Sequence, residues 1–409
     1  MPRRATIVIV GAGLAGGRAA EALRQLGYDG RLVLIGEEAE RPYERPPLSK
    51  AYLEGRLPRA RVHLRAPEYY RTQAITLRTG VEVTGVDLDR RVVQLARGRS
   101  IGYDQLLLTP GARPRPLAVP GAGLEGVVTL RTLADADRLR TAFASQPRVV
   151  IVGGGFVGCE VASAARRAGC PVTLFELGGA PLAQALGARA GAFAARIHRE
   201  HGVDLRTGES VTSIHGAGRA EAVVTSSGQV VDADLVLAAV GAEPRTELAQ
   251  AAGLALEGGI RVDPLCRTSA PGVFAAGDAA AWWHPGLGRR LRIEHHDNAQ
   301  NQGVAAARSL LGDPTPYAPI PYVWSEQYDA TLQFVGAVHA VTGTVVRGDP
   351  ESGAFSEFHL AGDRVVACLA VNRFKDLAGA RRLIGAGRKV DAAQLADPDT
   401  SLRDLLGPG

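Results

Sequence analysis

Two copies of a strand, a glycine-rich turn and a helix constrain this chain more than any other feature. In the first copy, the apolar run of residues 5–10 leads into a G-x-G-x-x-G turn formed by Gly11, Gly13 and Gly16, then a helical stretch, a second apolar run and Glu37. This order predicts a βαβ unit. Gly11 allows the tight turn, Gly13 lets a pyrophosphate approach the backbone, and Gly16 allows close helix packing.

The second copy has the same order. The apolar strand of residues 149–152 is followed by Gly153, Gly155 and Gly158, a helical stretch, another strand and Glu176. A carboxylate at this position accepts hydrogen bonds from a ribose 2′-OH and repels a 2′-phosphate. No basic residue follows directly after Glu176. The sequence therefore predicts two bound dinucleotides, of which the second is NAD(H) and not NADP(H).

Length and charge limit the remaining function classes. The chain has 409 residues, 46% apolar and 22% charged, which predicts two or three ordinary folded domains. The net charge of +5 is spread without a basic block, which argues against nucleic-acid binding but allows a local basic face for an acidic partner. We find neither an apolar run long enough for a bilayer nor a signal-peptide pattern, so we expect a cytoplasmic protein without a membrane segment.

Cysteine and histidine residues offer little sign of disulfide or metal chemistry. The four cysteines are far apart and form neither a C-x-x-C nor a zinc pattern, so we predict core thiols. His295 and His296 are adjacent and therefore point in different directions, with no Cys or carboxylate cluster beside them, so we predict no metal site. His198 and His201 lie in a polar helical stretch and are predicted to be surface residues.

Shorter markers indicate how the chain passes between domains. The buried-strand patterns of residues 106–108 and 235–240 each run into a glycine turn, at Gly111 and Gly241, and are predicted to be crossovers. Residues 273–278 read as a strand ending in a Gly-Asp turn. Prolines crowd residues 314–321, after which alternating strands and a helical tail predict a further domain.

These segments together resemble a known family. Residues 41–50 (RPYERPPLSK), supported by Gly277-Asp278 and by residues 294–303 and 324–329, resemble the FAD-dependent NADH:ferredoxin reductases of the putidaredoxin reductase and biphenyl dioxygenase reductase types. The resemblance covers the whole chain. It implies an α/β fold with two Rossmann-like domains of the glutathione reductase kind and an α+β C-terminal reductase domain.

The same resemblance implies domain limits and site residues. The FAD domain would comprise residues 1–113 and 243–319, the NAD domain 114–242, and the reductase domain 320–409. Lys50 and Glu160 would be the catalytic pair, with Glu160 the partner of the lysine; Asp278 would bond the ribityl chain and Glu37 the adenosine ribose. The candidate cofactor-binding residues are Gly11, Gly13, Ala15, Gly16, Glu37, Arg45, Lys50, Val83, Gly111, Arg131, Asp278, His296, Trp324, Gly153, Gly155, Gly158, Glu160, Glu176 and Gly241.

Composition makes Lys50 stand out. Of 47 basic residues only Lys50, Lys375 and Lys389 are lysine, and a compact ammonium can stabilise negative charge on a flavin where a guanidinium would not fit.

Two positions depart from the family pattern: His296 stands where Trp is frequent, and Thr109-Pro110-Gly111 stands for Ala-Thr-Gly. Because proline lacks a backbone donor, one hydrogen bond to FAD would be lost or replaced.

The resemblance implies an enzyme that accepts hydride from NADH on FAD and passes electrons one at a time to a [2Fe-2S] ferredoxin. That ferredoxin would supply a monooxygenase or a ring-hydroxylating dioxygenase. The missing Cys pair argues against disulfide reductase chemistry. Two alternatives stay open: an NADH oxidase or peroxidase, and an NADH-binding sensor of the apoptosis-inducing-factor kind.

Basic residues on loops and the C-terminal tail are candidates for docking an acidic ferredoxin. The alternative is that they form intramolecular ion pairs or are simply solvated. They are Arg289, Arg290, Lys375, Arg381, Arg382, Arg388 and Lys389.

Overall fold

A computed structural model describes residues 5–338 and 340–406. The chain divides into two compact units. Unit 1 comprises Met1–Pro46, Pro58–Arg113 and Ala242–Pro319, and unit 2 comprises Pro47–Leu57, Pro114–Gly241 and Ile320–Gly409. The finer division into three domains stays a prediction.

The helices of the described residues are α1 (Leu14–Gln25), α2 (Pro67–Thr72), α3 (Leu133–Phe143), α4 (Phe156–Arg167), α5 (Ala183–Leu186), α6 (Ala188–Glu200), α7 (Glu247–Ala251), α8 (His296–Leu310), α9 (Phe374–Ala386) and α10 (Ala392–Ala396). Short 3-10 helices lie at Pro46–Ser49, Arg59–Val62, Ala96–Gly98 and Asp404–Leu406.

The strands are β1 (Thr6–Val10), β2 (Arg31–Ile35), β3 (Ile75–Arg78), β4 (Val83–Asp87), β5 (Val92–Leu95), β6 (Ser100–Gly102), β7 (Gln105–Leu108), β8 (Ala112–Pro114), β9 (Val127–Val128), β10 (Val149–Val152), β11 (Val172–Glu176), β12 (Asp204–Thr207), β13 (Val211–His215), β14 (Ala222–Thr225), β15 (Val230–Asp232), β16 (Leu235–Ala238), β17 (Ala242–Pro244), β18 (Ile260–Val262), β19 (Val273–Ala275), β20 (Ala280–His284), β21 (Arg289–Leu291), β22 (Tyr322–Gln327), β23 (Ala330–Gly336), β24 (Gly343–Asp349), β25 (Ala354–Ala361) and β26 (Arg364–Val371).

Unit 1 is built on a parallel sheet in the order β19-β7-β1-β2-β3. All five residues of β1 are buried, as expected for a parallel strand that is covered on both faces. Ile7 and Ile9 pack on one face with residues of α1 and α8, whereas Val8 and Val10 point to a second cluster that includes Trp282. This sheet holds the first predicted βαβ unit.

Unit 2 contains a second parallel sheet in the order β12-β11-β10-β16-β9. Here β10 has the role that β1 has in unit 1, because it is the central strand and leads into the glycine turn before α4. The predicted second βαβ unit is therefore present.

The last part of unit 2 is an antiparallel sheet in the order β22-β23-β26-β25-β24, covered by α9. The alternating strands predicted after the prolines of residues 314–321 include β23 and β26. Two Rossmann-type sheets followed by an α+β region confirm the predicted fold class.

Residues 47–57 belong to unit 2 although the chain on either side of them belongs to unit 1. The Tyr52 hydroxyl donates to Asp137 on α3, and the guanidinium carbon of Arg140 lies 4.8 Å from the centre of the Tyr52 ring. Glu54 also lies 3.8 Å from Arg167 on α4. These contacts bring Lys50 to the second dinucleotide-binding fold.

Candidate functional site

The first glycine turn has the shape that a dinucleotide requires. A Cβ on Gly11, whose φ is 109°, would lie 2.0 Å from the carbonyl oxygen of Thr109, and one on Gly16 would lie 2.0 Å from that of Gly11. A Cβ on Gly13 would meet no atom of the described chain within 4 Å. Gly13 also caps α1 without a side-chain hydrogen bond. Backbone atoms therefore pack tightly against Gly11 and Gly16, whereas the space beside Gly13 is open. This arrangement fits a pyrophosphate bound at a helix N-terminus.

The start of α1 is packed closely against two other predicted segments. A Cβ on Gly303 would lie 2.3 Å from the Ala15 carbonyl oxygen, and one on Gly277 would lie 3.0 Å from the Ala15 Cβ. The Gly277-Asp278 turn and α8 are therefore beside the first glycine turn. The Asp278 side chain is buried in this turn. Its contact with a cofactor hydroxyl stays a prediction.

Arg45 lies in a charged cluster of unit 1. Its guanidinium donates to Glu38 at 2.7 Å and to the Tyr43 hydroxyl at 2.9 Å. Burial lowers the pKa of Arg45, but the nearby Tyr43, Glu38 and Asp278 outweigh burial and raise the pKa overall. Arg45 therefore stays a cation within this cluster. Its contact with FAD stays a prediction.

Other predicted FAD residues of unit 1 occupy different positions. Glu37 is exposed after β2 and forms an ion pair with Arg245. His296 is the first residue of α8, and its Nε2 lies 3.9 Å from Oε1 of Glu44. The nearby His296 and the charge of Arg18 lower the pKa of Glu44 against the effect of burial.

Val83 and Gly111 complete the unit 1 residues. Val83 begins β4 and packs against the core cluster that contains Val10. Gly111 has a φ of 74°, in the left-handed region that favours glycine. It follows Thr109, whose hydroxyl donates to the Gly11 carbonyl at 2.8 Å. Thr109-Pro110, where this sequence departs from the family pattern, is therefore hydrogen-bonded to the first glycine turn.

The second glycine turn repeats the construction of the first. A Cβ on Gly153, with a φ of 108°, would lie 2.5 Å from the Ala239 carbonyl oxygen, and one on Gly158 would lie 1.9 Å from that of Gly153. A Cβ on Gly155 would meet no atom of residues 5–338 or 340–406 within 4 Å, and the same holds for Gly241, whose φ is 99°. The residues present therefore fit a second dinucleotide.

Glu176 lies at the end of β11 beside this turn. Its carboxylate accepts hydrogen bonds from the backbone N–H of Gly154 at 2.8 Å and from that of Gly178 at 2.6 Å. Two backbone donors hold the carboxylate at the strand end, where a ribose would meet it. The positions of Gly154 and Glu176 thus favour a ribose without a phosphate.

Lys50 and Glu160 form a buried ion pair in unit 2. The Lys50 ammonium lies 2.7 Å from Oε2 of Glu160, and the side chains are 10% and 3% exposed. Ser49 donates to the same oxygen, and Ser325 donates to Oε1 at 2.7 Å. The structure therefore brings together the two residues predicted as catalytic. Ser49 and Ser325 lie in residues 41–50 and 324–329 but were not among the predicted site residues, because their contacts with Glu160 join distant parts of the chain.

Arg131 and Trp324 also lie in unit 2. The backbone N–H of Arg131 donates to Asp135 at 3.1 Å just before α3. The indole N–H of Trp324 donates to Glu326 at 3.2 Å, and its ring stacks on Tyr322 with centres 5.9 Å apart. Their assignment to FAD stays a prediction.

His198 contradicts the sequence prediction. It was expected on the surface, but it is fully buried, with its ring nitrogens 3.1 Å from Gln327 Oε1 and 3.0 Å from the Tyr328 hydroxyl. The prediction was wrong because the polar partners that make burial tolerable lie about 130 residues away. His201, three residues later, is exposed as predicted.

The thiols of this chain are poorly suited to redox chemistry. Cys159, Cys170, Cys266 and Cys368 are all buried and none forms a disulfide. Burial raises the pKa of each thiol, so the reactive thiolate is suppressed. Among residues 5–338 and 340–406 there is no cluster of three or more potential metal ligands. In the same ranges no helix is long and apolar enough to cross a membrane.

Comparison with known proteins gives consistent matches. Residues 5–303 match the family described as pyridine nucleotide-disulphide oxidoreductase, and residues 322–406 match the family described as reductase C-terminal. The chain is 44% identical to the anthranilate 1,2-dioxygenase system ferredoxin–NAD(+) reductase component of Burkholderia cepacia, over 98% of each chain. It is 37% identical to putidaredoxin reductase CamA of Pseudomonas putida, over 98% of this chain and 96% of that protein.

Solved structures agree with these matches. The ferredoxin reductase for the CYP199A2 system from Rhodopseudomonas palustris has a TM-score of 0.94 and 36% identity, over 98% of this chain and 99% of that chain. The covalent putidaredoxin reductase–putidaredoxin complex gives a TM-score of 0.95 and 37% identity, over 98% of both chains.

Proposed function

The chain belongs to the pyridine nucleotide-disulphide oxidoreductase family, and we propose that it is an FAD-containing ferredoxin–NAD(+) reductase. It would pass electrons from NADH, one at a time, to a [2Fe-2S] ferredoxin that serves an oxygenase. The relatives are ferredoxin reductase components of dioxygenase systems and a putidaredoxin reductase, which confirms the resemblance read from residues 41–50. The C-terminal match extends the similarity beyond the two nucleotide-binding folds.

The observation that carries this proposal is the pair of matching glycine turns. In each, the outer glycines are closed against backbone carbonyls, while the middle glycine, Gly13 or Gly155, leaves open space at a helix N-terminus. One chain thus offers two dinucleotide sites, one in each unit. An enzyme that transfers electrons from NADH through FAD needs both.

The buried thiols narrow the chemistry within the family. A disulfide reductase requires a reactive cysteine pair, whereas all four cysteines here are buried with raised pKa values. The stretch around Lys50 carries no cysteine. The arrangement therefore favours electron transfer from the flavin to an external acceptor without a disulfide intermediate.

Bound FAD would supply what the side chains lack, a group that accepts a hydride and returns electrons singly. The protein's part is binding and electrostatics. The turns at Gly13 and Gly155 would bind pyrophosphates at the N-termini of α1 and α4. Glu176 would accept from the ribose of NADH. The Lys50 ammonium, held by the Glu160 carboxylate, would supply positive charge to stabilise the reduced flavin.

The proposal is tested by stopped-flow spectroscopy of the purified flavoprotein. We expect rapid bleaching of the flavin by NADH, slow reoxidation by air, and fast reoxidation by a [2Fe-2S] ferredoxin. A ferredoxin that gives no acceleration over air would contradict the proposal and favour an oxidase. Slow bleaching with tight NADH binding would also contradict it and favour a sensor.

A lysine variant tests the role of the ion pair. Lys50→Met should slow the bleaching of the flavin by NADH by roughly tenfold or more, because a buried positive charge is lost. The matched control is Lys389→Met, which removes an exposed ammonium paired with Asp363 at 2.8 Å. FAD content and the thermal unfolding midpoint are measured for both variants. Equal rates in both would exclude Lys50 from the reaction.

A further inference from the structure

A chain of buried polar side chains leads from Glu160 into the body of unit 2. Ser325 Oγ donates to Glu160 Oε1 at 2.7 Å, and Gln327 Nε2 donates to Ser325 Oγ at 3.0 Å. The amide oxygen of Gln327, Oε1, is hydrogen-bonded to His198 Nε2 at 3.1 Å. Ser325, Gln327 and His198 are each 0% exposed. Fully buried polar groups are costly unless every one of them is hydrogen-bonded, as these are.

The hydrogen bonds along this chain have one consistent direction. An amide oxygen can only accept, so His198 Nε2 carries the hydrogen that goes to Gln327 Oε1. Burial lowers the pKa of His198 to about 4, against an opposing hydrogen bond to Gln327, so the ring is neutral near pH 7. Its Nδ1 then accepts from the Tyr328 hydroxyl. Every donor therefore points towards the Glu160 carboxylate.

The far end of the chain is also held in place. Tyr328 lies in the turn between β22 and β23 with a φ of 52°, which is uncommon for a residue with a side chain. Its backbone N–H donates to Ser163 on α4 at 2.7 Å, and its ring stacks on His201 with centres 3.7 Å apart. Contacts on both sides thus keep this strained residue, and with it the end of β22, against α4 and α6.

Glu160 needs such support because its carboxylate is shared among several donors. Oε2 receives the Lys50 ammonium and the Ser49 hydroxyl, whereas Ser325 is the donor on Oε1. The hydrogen bond on Oε1 fixes the rotation of the carboxylate plane, which decides where Oε2 holds the ammonium. Ser325 itself is oriented by Gln327, since its oxygen accepts from the amide while its hydrogen goes to Glu160.

We propose that Ser325 and Gln327 are positioning residues that hold the Glu160 carboxylate, and through it the Lys50 ammonium, in a working orientation. Through these two residues of β22, the C-terminal sheet supports the ion pair between Lys50 and Glu160. This inference rests on the proposed role of Lys50 and Glu160 in the reductase. It adds Ser325 and Gln327, which lie in residues 324–329 but were not among the predicted site residues.

The test compares Ser325→Ala with Ser356→Ala in the FAD-loaded enzyme. Ser356 is a matched control because it is 0% exposed in the same sheet and also donates to a buried carboxylate, Asp376, at 2.9 Å. The first readout is the rate at which a water-soluble amine reagent modifies each lysine, followed by peptide mass spectrometry. Since the chain has only three lysines, Lys375 and Lys389 serve as internal references.

We expect Ser325→Ala to raise the modification rate of Lys50 by roughly tenfold relative to Lys375 and Lys389, because a hydrogen bond to a charged group is lost. Ser356→Ala should leave that ratio unchanged. The second readout is flavin reduction by NADH, in which Ser325→Ala should lower the limiting rate and leave the apparent Kd for NADH unchanged. If Ser325 serves only folding, Ser325→Ala would lower the unfolding midpoint but change neither the relative modification rate of Lys50 nor the limiting rate of flavin reduction.

Equal behaviour of the two alanine variants would overturn the proposal. If Ser325→Ala does not fold, Ser325→Cys keeps the shape of the side chain and replaces the hydroxyl by a weak donor, so it must show the same rise in Lys50 modification. The modification readout does not depend on ferredoxin. A wild-type enzyme that fails to reduce ferredoxin would refute the proposed function, whereas unchanged Lys50 reactivity would refute the positioning role.

Discussion

At the scale of single residues, Glu176 gives the most direct test of cofactor choice. Its carboxylate is held by the backbone N–H groups of Gly154 and Gly178 at the end of β11. Glu176→Ala should lower kcat/KM for NADH by roughly tenfold, since hydrogen bonds to a ribose are lost, and should improve kcat/KM for NADPH because the repulsion is removed. Steady-state kinetics with both nucleotides measure the ratio. Glu200→Ala, an exposed carboxylate on α6 of the same unit, is the control.

An unchanged preference for NADH over NADPH in Glu176→Ala would show that another group distinguishes the two nucleotides. An equal fall for both nucleotides would instead indicate a damaged turn at Gly154.

The buried imidazole of His198 predicts a dependence of stability on pH. Burial lowers its pKa from 6.5 to about 4, with His201 adding to the effect and Gln327 opposing it. Between these values the unfolded chain binds a proton that the folded protein does not bind, so stability is full above pH 6.5 and falls as the pH drops towards 4. The loss is of the order of 2 kcal/mol at about pH 5.

His198→Gln should remove that part of the pH dependence, because glutamine does not titrate. Thermal unfolding midpoints at about pH 7 and pH 5 measure it, and His215→Gln, which changes an exposed histidine on β13, is the control. If the midpoints of wild type and His198→Gln fall equally between the two pH values, the imidazole is not buried as described.

Sequence reasoning found some site residues and missed others for a physical reason. Lys50 stood out because lysine is rare here, and Glu160 because it follows the second glycine turn. Ser325 lies in residues 324–329, which support the resemblance, but that segment did not indicate a contact with Glu160, and His198 had no such signal. Their roles depend on contacts with residues that lie 165 and 129 positions away along the chain. A pattern of neighbouring residues carries no information about such contacts.

At the scale of elements, the glycines of one turn differ in whether alanine can replace them. Gly16→Ala should prevent stable folding of the turn, because its Cβ would lie 2.0 Å from the Gly11 carbonyl oxygen. Gly13→Ala meets no atom within 4 Å and should cost at most about 1 kcal/mol, the usual price of alanine at a helix N-cap. The same Cβ would point into the space proposed for the pyrophosphate and weaken FAD binding by roughly tenfold or more.

Urea unfolding and FAD titration of the apoprotein separate the two effects. We expect Gly13→Ala to lose affinity for FAD with nearly normal stability, and Gly16→Ala to lose both. Normal FAD affinity in Gly13→Ala would contradict the assignment of this turn to a pyrophosphate.

Elements with a repeating local pattern were predictable. Strand β10 was predicted at its observed limits, and β1 within one residue, because continuous apolar runs and glycine turns mark their ends. The placement of residues 47–57 in unit 2 was not predictable. It depends on tertiary contacts such as Tyr52 with Asp137, which no local pattern encodes. Basic residues expected on loops, among them Arg289 on β21 and Lys375 on α9, lie instead on regular elements.

At the scale of the whole molecule, the candidate docking residues differ in whether their basic side chains contact other groups of the same chain. Arg290 donates to the carbonyls of Val262 and Ala281, and Lys389 pairs with Asp363. Arg388 donates to the Leu406 carbonyl. Arg290 also pairs with Glu257 at 2.9 Å, so the ion-pair alternative describes Arg290 and Lys389. Lys375 is exposed at the start of α9, next to Phe374, whose ring is 60% exposed. A cation beside an exposed aromatic ring suits a protein interface.

Lys375→Glu should therefore slow ferredoxin reduction by roughly tenfold at low salt, because an attractive charge becomes a repulsive one towards an acidic partner. The difference should shrink at high ionic strength, where the charges are screened. Reduction of ferricyanide by NADH should not change, since the small acceptor needs no docking surface. Arg90→Glu, on an exposed turn of unit 1, alters the net charge equally and is the control. Equal slowing by both variants would mean that net charge and not α9 governs the encounter. Loss of ferricyanide reduction in Lys375→Glu would reveal a defect in folding or FAD binding, and ferredoxin docking would then have to be assigned to another surface.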